Sequence, residues 1–203
     1  GMGNAGDNVA RDFEITREEI DAFALASNQK ASAAIAEGKF KDEITPLDLP
    51  GGGVFDTDEG PRADASIEAL TKLRPAFAAS AELGFHTAGN SSQMSDGASV
   101  VVMMSEKALE ETGAKPIAKF LSYNVAADSP KYLGPAQLIA IPKAIKMAGL
   151  TLEDIDLFEI NEAFASVAIL VTRELGLGTE HVNEYGSARR TAHAAPPTVT
   201  MMA

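Results

Sequence analysis

A polar pair, Asn161 and Glu162, stands between a short apolar stretch and a run with helical spacing. Residues 157–160 are mostly apolar and typical of a strand, and Ala, Phe, Val and Leu recur at helical intervals after Asn161. The amide of Asn161 could cap the new helix, with Glu162 placing a negative charge in its first turn. A polar side chain at the carboxyl end of a strand is also a common position for ligand chemistry in α/β folds. Both interpretations stay open at this point.

Two further stretches are rich in small residues. Residues 87–97 are polar and punctuated by glycine, and the apolar run 98–104 follows them, which predicts a strand covered on both faces as in a parallel sheet. The three glycines at 51–53 are not followed by Lys and Ser or Thr, as a phosphate loop requires. They predict a hairpin or a flexible turn instead.

Composition and charge exclude several kinds of site. The 203 residues include no cysteine, which excludes disulfides, thiolate metal sites and thiol nucleophiles. The histidines, His86, His181 and His193, have no paired spacing, so we expect no histidine metal site. A net charge of −12 argues against nucleic acid or a membrane surface as partner, and an anionic ligand would need a local basic patch. With no apolar run long enough to cross a bilayer, the expected location is cytoplasmic.

Local signals predict the elements that would position these residues. Thr16 and Glu19 form a capping box for a helix that runs to about Glu37 and stops at Gly38. The other predicted helices span 3–13, 65–73, 106–112 (capped by Ser105), 135–148 (with Pro142 inside) and Asn161 to 175. Strands are predicted over 98–104 and 117–123, and an irregular tail over 187–198.

Several of these stretches match a known family. Residues 161–165, Asn-Glu-Ala-Phe-Ala, resemble the Asn-Glu-Ala-Phe motif of thiolases, and 87–98 resembles the segment that meets the pantetheine arm of coenzyme A. Residues 16–24, 58–62 and 73–77 fit the same family and occur in the family order. The resemblance is strongest to degradative 3-ketoacyl-CoA thiolases. It implies an α/β fold that is a partial thiolase-like fold, made of the loop domain and part of the C-terminal sheet domain.

The resemblance also implies an activity and a role for Asn161. Thiolases cleave a 3-ketoacyl-CoA with a second CoA, or run the reverse condensation. Asn161 would hold a water that, with a histidine, stabilises an enolate in an oxyanion hole, a task suited to preorganised donors. Coenzyme A would be a substrate, and no covalently bound cofactor is implied.

The same resemblance implies a coenzyme A site. Ser92 would hydrogen-bond the pantetheine arm, and Phe77, Phe164 and Met2 would pack against it. Arg62 would lie near the adenine-ribose end and offer a local positive charge. The alternatives are a capping serine, core aromatic residues and a surface arginine.

The chain departs from the family in its catalytic residues. A family member is roughly twice this long and uses two cysteines, neither of which is present, so we expect no thiolysis by this chain alone. His193 lies at the family distance from Gly186, but Ala192 and Ala194 replace the expected Gly and Pro, so it is either a catalytic histidine or a coincidence. The tail from about residue 189 departs from the family, which predicts a break in the reading frame there.

The expected organisation follows from the family. Residues 1–94 would form the loop domain that covers coenzyme A, 95–115 the last strand and helix of the N-terminal domain, and 116–203 an incomplete C-terminal domain. Three functions are open: an incomplete thiolase without catalysis of its own, a binding module for CoA or acyl-CoA, and a structural piece that complements the missing thiolase half. A homo-oligomer is also expected, because a piece of this fold would expose apolar strand edges.

Overall fold

The computed structural model describes residues 1–77 and 84–186, together with the backbone of 199–202. Helices and strands alternate irregularly along the described chain. The helices are α1 (Met2–Asp12), α2 (Arg17–Ala36), α3 (Ile67–Thr71), α4 (Glu106–Thr112), α5 (Pro135–Ala148) and α6 (Ala165–Glu174). The strands are β1 (Leu47–Asp48), β2 (Val54–Phe55), β3 (Leu157–Ile160) and β4 (Val199–Met202), and short 3₁₀ turns lie at Leu152–Asp154 and Thr179–His181.

Helix α2 begins at the predicted capping box. The backbone amide of Glu19 donates to Thr16 Oγ1 at 3.2 Å, and the Thr16 amide donates to the Glu19 carboxylate at 2.8 Å. Beyond the helix the chain turns at Gly38, whose φ of +70° a glycine adopts without strain. The predicted start and stop are therefore confirmed, as are α1, the Ser105-capped α4 and α5, whereas α3 is shorter than the predicted 65–73.

Helix α6 lies at the centre of the fold, where it packs against α1, α2 and α5. Its apolar residues Ala168, Leu170 and Val171 are fully buried. One core cluster joins α6 to α5 and β3, and the other joins α6 to α1 and the start of α2. Because α6 follows directly on the Asn161 motif, this packing fixes the position of the motif within the core.

The two strand pairs are small. Strands β1 and β2 form an antiparallel hairpin around the three glycines, with Leu47 opposite Phe55, which confirms the predicted turn. Strands β3 and β4 are also antiparallel, with Ile160 opposite Val199. Residues 199–202 lie beyond the predicted irregular tail and form a strand, because their backbone pairs with β3. The predicted tail itself, residues 187–198, lies outside the described residues.

The predicted strands over 98–104 and 117–123 are wrong. Both segments are irregular, and side chains such as Val101 and Ile117 are exposed, at 83% and 104%. Apolar sequence alone does not make a strand, because each strand needs a neighbour for its amides and carbonyls. No backbone hydrogen bond joins either segment to another part of the described chain.

Within the described ranges, no helix combines the length and the apolarity that crossing a membrane would require. The same residues contain no group of three or more His, Cys, Asp or Glu side chains arranged to hold a metal ion.

Candidate functional site

The two candidate motifs lie side by side. The Ser92 amide donates to the carbonyl of Ala163 at 3.0 Å, and the Ala165 amide donates to the carbonyl of Asn90 at 3.1 Å. Between these bonds, Ser91 and Phe164 form an isolated antiparallel bridge. The glycine-punctuated stretch and the Asn-Glu-Ala-Phe stretch are therefore held in one fixed register.

Asn161 does not cap helix α6. The helix begins at Ala165, and its N-cap is Phe164, which makes no side-chain capping bond. Phe164 has extended backbone angles, φ −140° and ψ 142°, because its segment pairs with residues 90–92. The predicted cap is wrong, and Asn161 instead lies partly buried in the loop between β3 and the helix.

Glu162 does not lie in the first turn of the helix, which begins at Ala165, so that prediction is also wrong. Its side chain is buried, with an exposed fraction of 1%. Ser27 Oγ of α2 donates to one carboxylate oxygen at 2.7 Å, and Asn183 Nδ2 donates to the other at 2.6 Å. Hydrogen bonds of this kind compensate the cost of burying a carboxylate. Glu162 therefore ties the loop that carries Asn161 to two other parts of the fold.

Asn183 holds the other end of this loop. Its side chain accepts a hydrogen bond from the Ile160 backbone amide at 2.7 Å and donates one to the Ile160 carbonyl at 2.9 Å. Its backbone amide donates to the Phe158 carbonyl. Asn183 has a φ of +50°, a conformation that asparagine tolerates better than most residues. At Gly186 a Cβ would lie 2.4 Å from the Ser27 carbonyl oxygen, so the turn packs directly on α2.

The aromatic side chains predicted for the site meet one another. The rings of Phe77 and Phe164 are in edge contact, with centroids 5.6 Å apart. Phe77 covers α1 so closely that a Cβ at Gly3 would lie 2.0 Å from its ring. Met2, the neighbour of Gly3, is 61% exposed, and Phe77 is 42% exposed. The start of α1 and the two phenylalanines thus form one partly open apolar surface.

A buried hydrogen-bonded pair, His86 and Asp7, lies beneath this surface. His86 Nδ1 is 2.8 Å from Asp7 Oδ1, and the same oxygen accepts the backbone amides of Phe85 and His86 at 3.0 Å. Burial raises the pKa of the Asp7 carboxyl, but the hydrogen bonds from His86 and Phe85 outweigh it, so the pKa lies below its ordinary value. The His86 ring contacts the Phe164 ring at 4.9 Å.

Asn90 organises the turn that leads to Ser92. Its side chain accepts from the Thr87 amide at 2.8 Å and donates to Asp21 at 2.7 Å. Asp21 is fully buried and forms an ion pair of 2.7 Å with Arg17. Arg17 also donates to the Leu70 carbonyl at 2.9 Å, so α2 anchors both the turn and α3.

Ser92 and Arg62 are placed differently from the aromatic residues. Ser92 is exposed at the end of the paired segment, and its hydroxyl lies 3.4 Å from the Gln93 carbonyl. The Arg62 amide donates to Asn28 of α2 at 3.0 Å, while its guanidinium is exposed and lies 3.4 Å from Asp64. The hydrogen bonds and ion pairs of the described residues do not link the Arg62 side chain to the rest of the site, and His193 lies outside the described residues.

Sequence reasoning missed the residues that hold this site in place. Asp7 and His86 are far apart in the chain, as are Ser27, Glu162 and Asn183, so no local spacing points to either group. The sequence did contain one signal for Glu162: a carboxylate next to an apolar helix needs either contact with solvent or hydrogen-bond donors.

Family models decide the identity of the chain. A model described as the N-terminal domain of thiolase matches residues 1–107, and one described as the thiolase C-terminal domain matches 114–195. The chain belongs to the thiolase family. The partial thiolase-like α/β fold expected from the sequence is confirmed by solved structures. The Bacillus anthracis acetyl-CoA acetyltransferase is 42% identical, with a TM-score of 0.88, over 95% of this chain and 49% of that chain.

This thiolase chain also has close relatives by sequence. It is 45% identical to a 3-ketoacyl-CoA thiolase of Bacillus subtilis over 95% of this chain and 51% of that protein. A structure of human mitochondrial 3-ketoacyl-CoA thiolase in complex with CoA is 34% identical, with a TM-score of 0.84, over 95% of this chain and 48% of that one. The thiolase chain therefore spans about half the length of the relatives that it matches.

Proposed function

We propose that this chain is a thiolase piece that binds coenzyme A or an acyl-CoA. The observation that carries the proposal is the pairing of 90–92 with 163–165 beside the Phe77–Phe164 contact. This arrangement places the polar segment 90–92 beside the apolar surface of the two phenylalanines. A pantetheine arm needs this combination, because it carries both amides and methylene groups.

Each residue has a distinct part in this binding. The exposed Ser92 hydroxyl would hydrogen-bond an amide of the pantetheine arm, since its contact with Gln93 is long. Phe77 and Met2 would pack against the arm from the exposed side, with Phe164 beneath them. Arg62 would lie near the adenine-ribose end, where an exposed guanidinium offers positive charge on a chain with a net charge of −12.

We further propose that the chain does not catalyse thiolysis alone. Transfer of the acyl group in this family requires a thiolate, and the sequence contains no cysteine. Asn161 would then be one half of an oxyanion hole, held in place by Glu162 and Asn183, without the nucleophile that it serves.

Isothermal titration calorimetry with CoA tests the binding. We expect saturable heat that Phe77→Ala weakens about tenfold, since one buried aromatic contact is worth roughly 1.4 kcal/mol. Phe120→Ala is the matched control, because Phe120 is exposed on a segment that lacks backbone partners in the described chain. The absence of heat at millimolar CoA would remove the proposed binding.

An assay of acetoacetyl-CoA thiolysis tests the second part. We expect no turnover above the background rate at any protein concentration. Turnover that disappears in Asn161→Ala but not in Phe120→Ala would contradict the proposal, because it would require a nucleophile other than cysteine.

A second candidate function is complementation of another polypeptide. It is favoured by the apolar segments 98–104 and 117–123, which have no backbone partners in the described chain. In the first segment, Val100 and Val101 are 88% and 83% exposed. Along 121–126 the exposure alternates, so that Leu121, Tyr123 and Val125 face outward together, like the side chains on one face of a strand.

Co-expression tests this candidate. The partner would be the part of the Bacillus subtilis 3-ketoacyl-CoA thiolase that this chain does not match. We expect the two polypeptides to co-purify in equal amounts, and Val101→Asp to separate them while the exposed-loop control Asp56→Asn does not. Separate elution of the two wild-type chains would remove the candidate.

A further inference from the structure

His86 is fully buried, yet neither the binding of coenzyme A nor the expected oxyanion hole uses it. Its ring lies between Asp7 on one side and Phe164 on the other. Nε2 has no hydrogen-bond partner among the described residues, although its surface is buried. A polar atom in that position costs free energy, so the histidine must contribute something that a simple apolar residue would not.

The proton arrangement at His86 follows from Asp7. The lowered pKa keeps the Asp7 carboxyl ionised at neutral pH, and an ionised carboxylate only accepts hydrogen bonds. Nδ1 must therefore carry a proton and donate it to Asp7 Oδ1. This bond fixes the imidazole plane relative to α1, because Oδ1 is itself held by the backbone amides of Phe85 and His86.

The fixed imidazole leaves little freedom to Phe164. The two rings meet edge to face, with an interplanar angle of 65° and centroids 4.9 Å apart. On the helix side, a Cβ at Gly6 would lie 3.0 Å from the Phe164 ring and 3.4 Å from His86 Cε1. Phe164 is thus held between α1, His86 and Phe77.

We propose that His86 is a positioning residue: the bond from Nδ1 to Asp7 sets its ring, and its ring sets the orientation of Phe164 on which the pantetheine arm packs. The part concerning pantetheine rests on the proposed function. Two side-chain properties are therefore separable at this position. The Nδ1–H group helps to anchor residues 85 and 86 to α1, and the imidazole ring orients Phe164.

Two variants separate these properties. His86→Asn keeps a donor near the position of Nδ1 but has no ring, whereas His86→Phe keeps a ring but cannot donate to Asp7. We expect His86→Asn to shift the aromatic resonances of Phe164 and to weaken CoA binding about threefold to tenfold, the range of one lost edge contact. We expect His86→Phe to bind CoA within about twofold of the wild type, as the ring contact remains, but to melt about 3 °C lower for one lost hydrogen bond.

The measurements are ¹H–¹³C spectra of chain labelled at phenylalanine, with Phe164 assigned through Phe164→Leu, and calorimetry with CoA. Unchanged Phe164 resonances in His86→Asn would overturn the inference, as would equal losses of CoA affinity in the Asn and Phe variants. If the wild type binds no CoA, the proposed function fails, and the Phe164 resonances still decide the role of His86. Should His86→Asn not fold, His86→Gln replaces it with the same expected shift.

Discussion

Asn183 Nδ2 donates a hydrogen bond to the Glu162 carboxylate at 2.6 Å, and both side chains are buried. The bond joins the loop that carries Asn161 to the last turn before the tail. Ser27 completes the arrangement from α2, so three separate stretches of chain meet at one carboxylate. A polar group of this kind stabilises the fold only while all its partners are present.

Removing the Glu162 carboxylate should therefore destabilise the chain. We expect Glu162→Ala to lower the free energy of unfolding by about 2–3 kcal/mol, because the buried Ser27 hydroxyl loses its acceptor and Asn183 Nδ2 keeps only its bond to the Ile160 carbonyl. Glu162→Gln, which keeps one acceptor oxygen, should cost about half as much. Urea denaturation measures both. The control is Glu180→Ala, since Glu180 is exposed, and equal losses in Glu162→Ala and the control would contradict the prediction.

Asn183 allows its side-chain bonds to be separated from its backbone strain. Asn183→Gly relieves the φ of +50° but removes the bonds to Ile160 and Glu162, so we expect a loss of about 2–3 kcal/mol. Asn183→Ala adds about 1 kcal/mol of strain, because alanine adopts this conformation poorly. Urea denaturation gives both values. A glycine variant as stable as the wild type would show that these bonds contribute nothing.

The low pKa of Asp7 predicts a dependence of stability on pH. Its folded-state pKa lies below the ordinary value of 3.8, so the unfolded chain binds more protons, and the contribution is present above pH 3.8 and lost as pH falls through the folded value. Asp7→Asn should make the stability curve flatter in this acidic range. The pKa of Asp12 is also lowered, by hydrogen bonds from Lys131 and Tyr132, but Asp12 is exposed to solvent.

Asp12→Asn is accordingly the control for Asp7. Thermal melts between about pH 2 and pH 5, the range that includes the loss expected below pH 3.8, would compare the two variants with the wild type. We expect the larger flattening in Asp7→Asn, because salt and water screen the exposed pair of Asp12 and Lys131. A larger effect of Asp12→Asn would mean that the buried pair with His86 does not govern acid stability.

Gly3 offers a test of the aromatic surface that leaves every aromatic residue in place. Alanine normally stabilises a helix interior relative to glycine by about 0.5–1 kcal/mol, yet a Cβ here would overlap the Phe77 ring. We expect Gly3→Ala to displace Phe77 and to weaken CoA binding about tenfold. Gly51→Ala is the control, because nothing lies within 4 Å of a Cβ at that position. Calorimetry with equal affinities for the two variants would contradict the prediction.

Local signals in the sequence correctly predicted several elements. The capping box of Thr16 and Glu19, the stop at Gly38 and the Ser105 cap all depend on atoms within one helical turn. The strand over 157–160 was also predicted, since its alternation of apolar residues survives in the fold. The family motifs located Phe77 and Phe164, which the structure brings into contact.

Predictions that depended on distant partners were less successful. The run 98–104 has the composition of a buried strand, but a strand forms only where another strand accepts its hydrogen bonds. Asn161 is a residue type that often caps helices, but the pairing of 163–165 with 90–92 delays the start of the helix to Ala165. Glu162 was placed in the first turn of a helix, but it lies before the helix and is held by Ser27 and Asn183, which are distant in the chain.

The sequence by itself thus determined the helices, the family and the residue types at the site, because these follow from short-range capping, periodicity and motif order. Only the tertiary structure decided which side chains support the site. Asp7 meets His86, and Glu162 meets Ser27 and Asn183, through packing of α1, α2 and α6 around one core. A buried polar group needs a partner in space rather than in sequence, and the chain's spacing does not specify that partner.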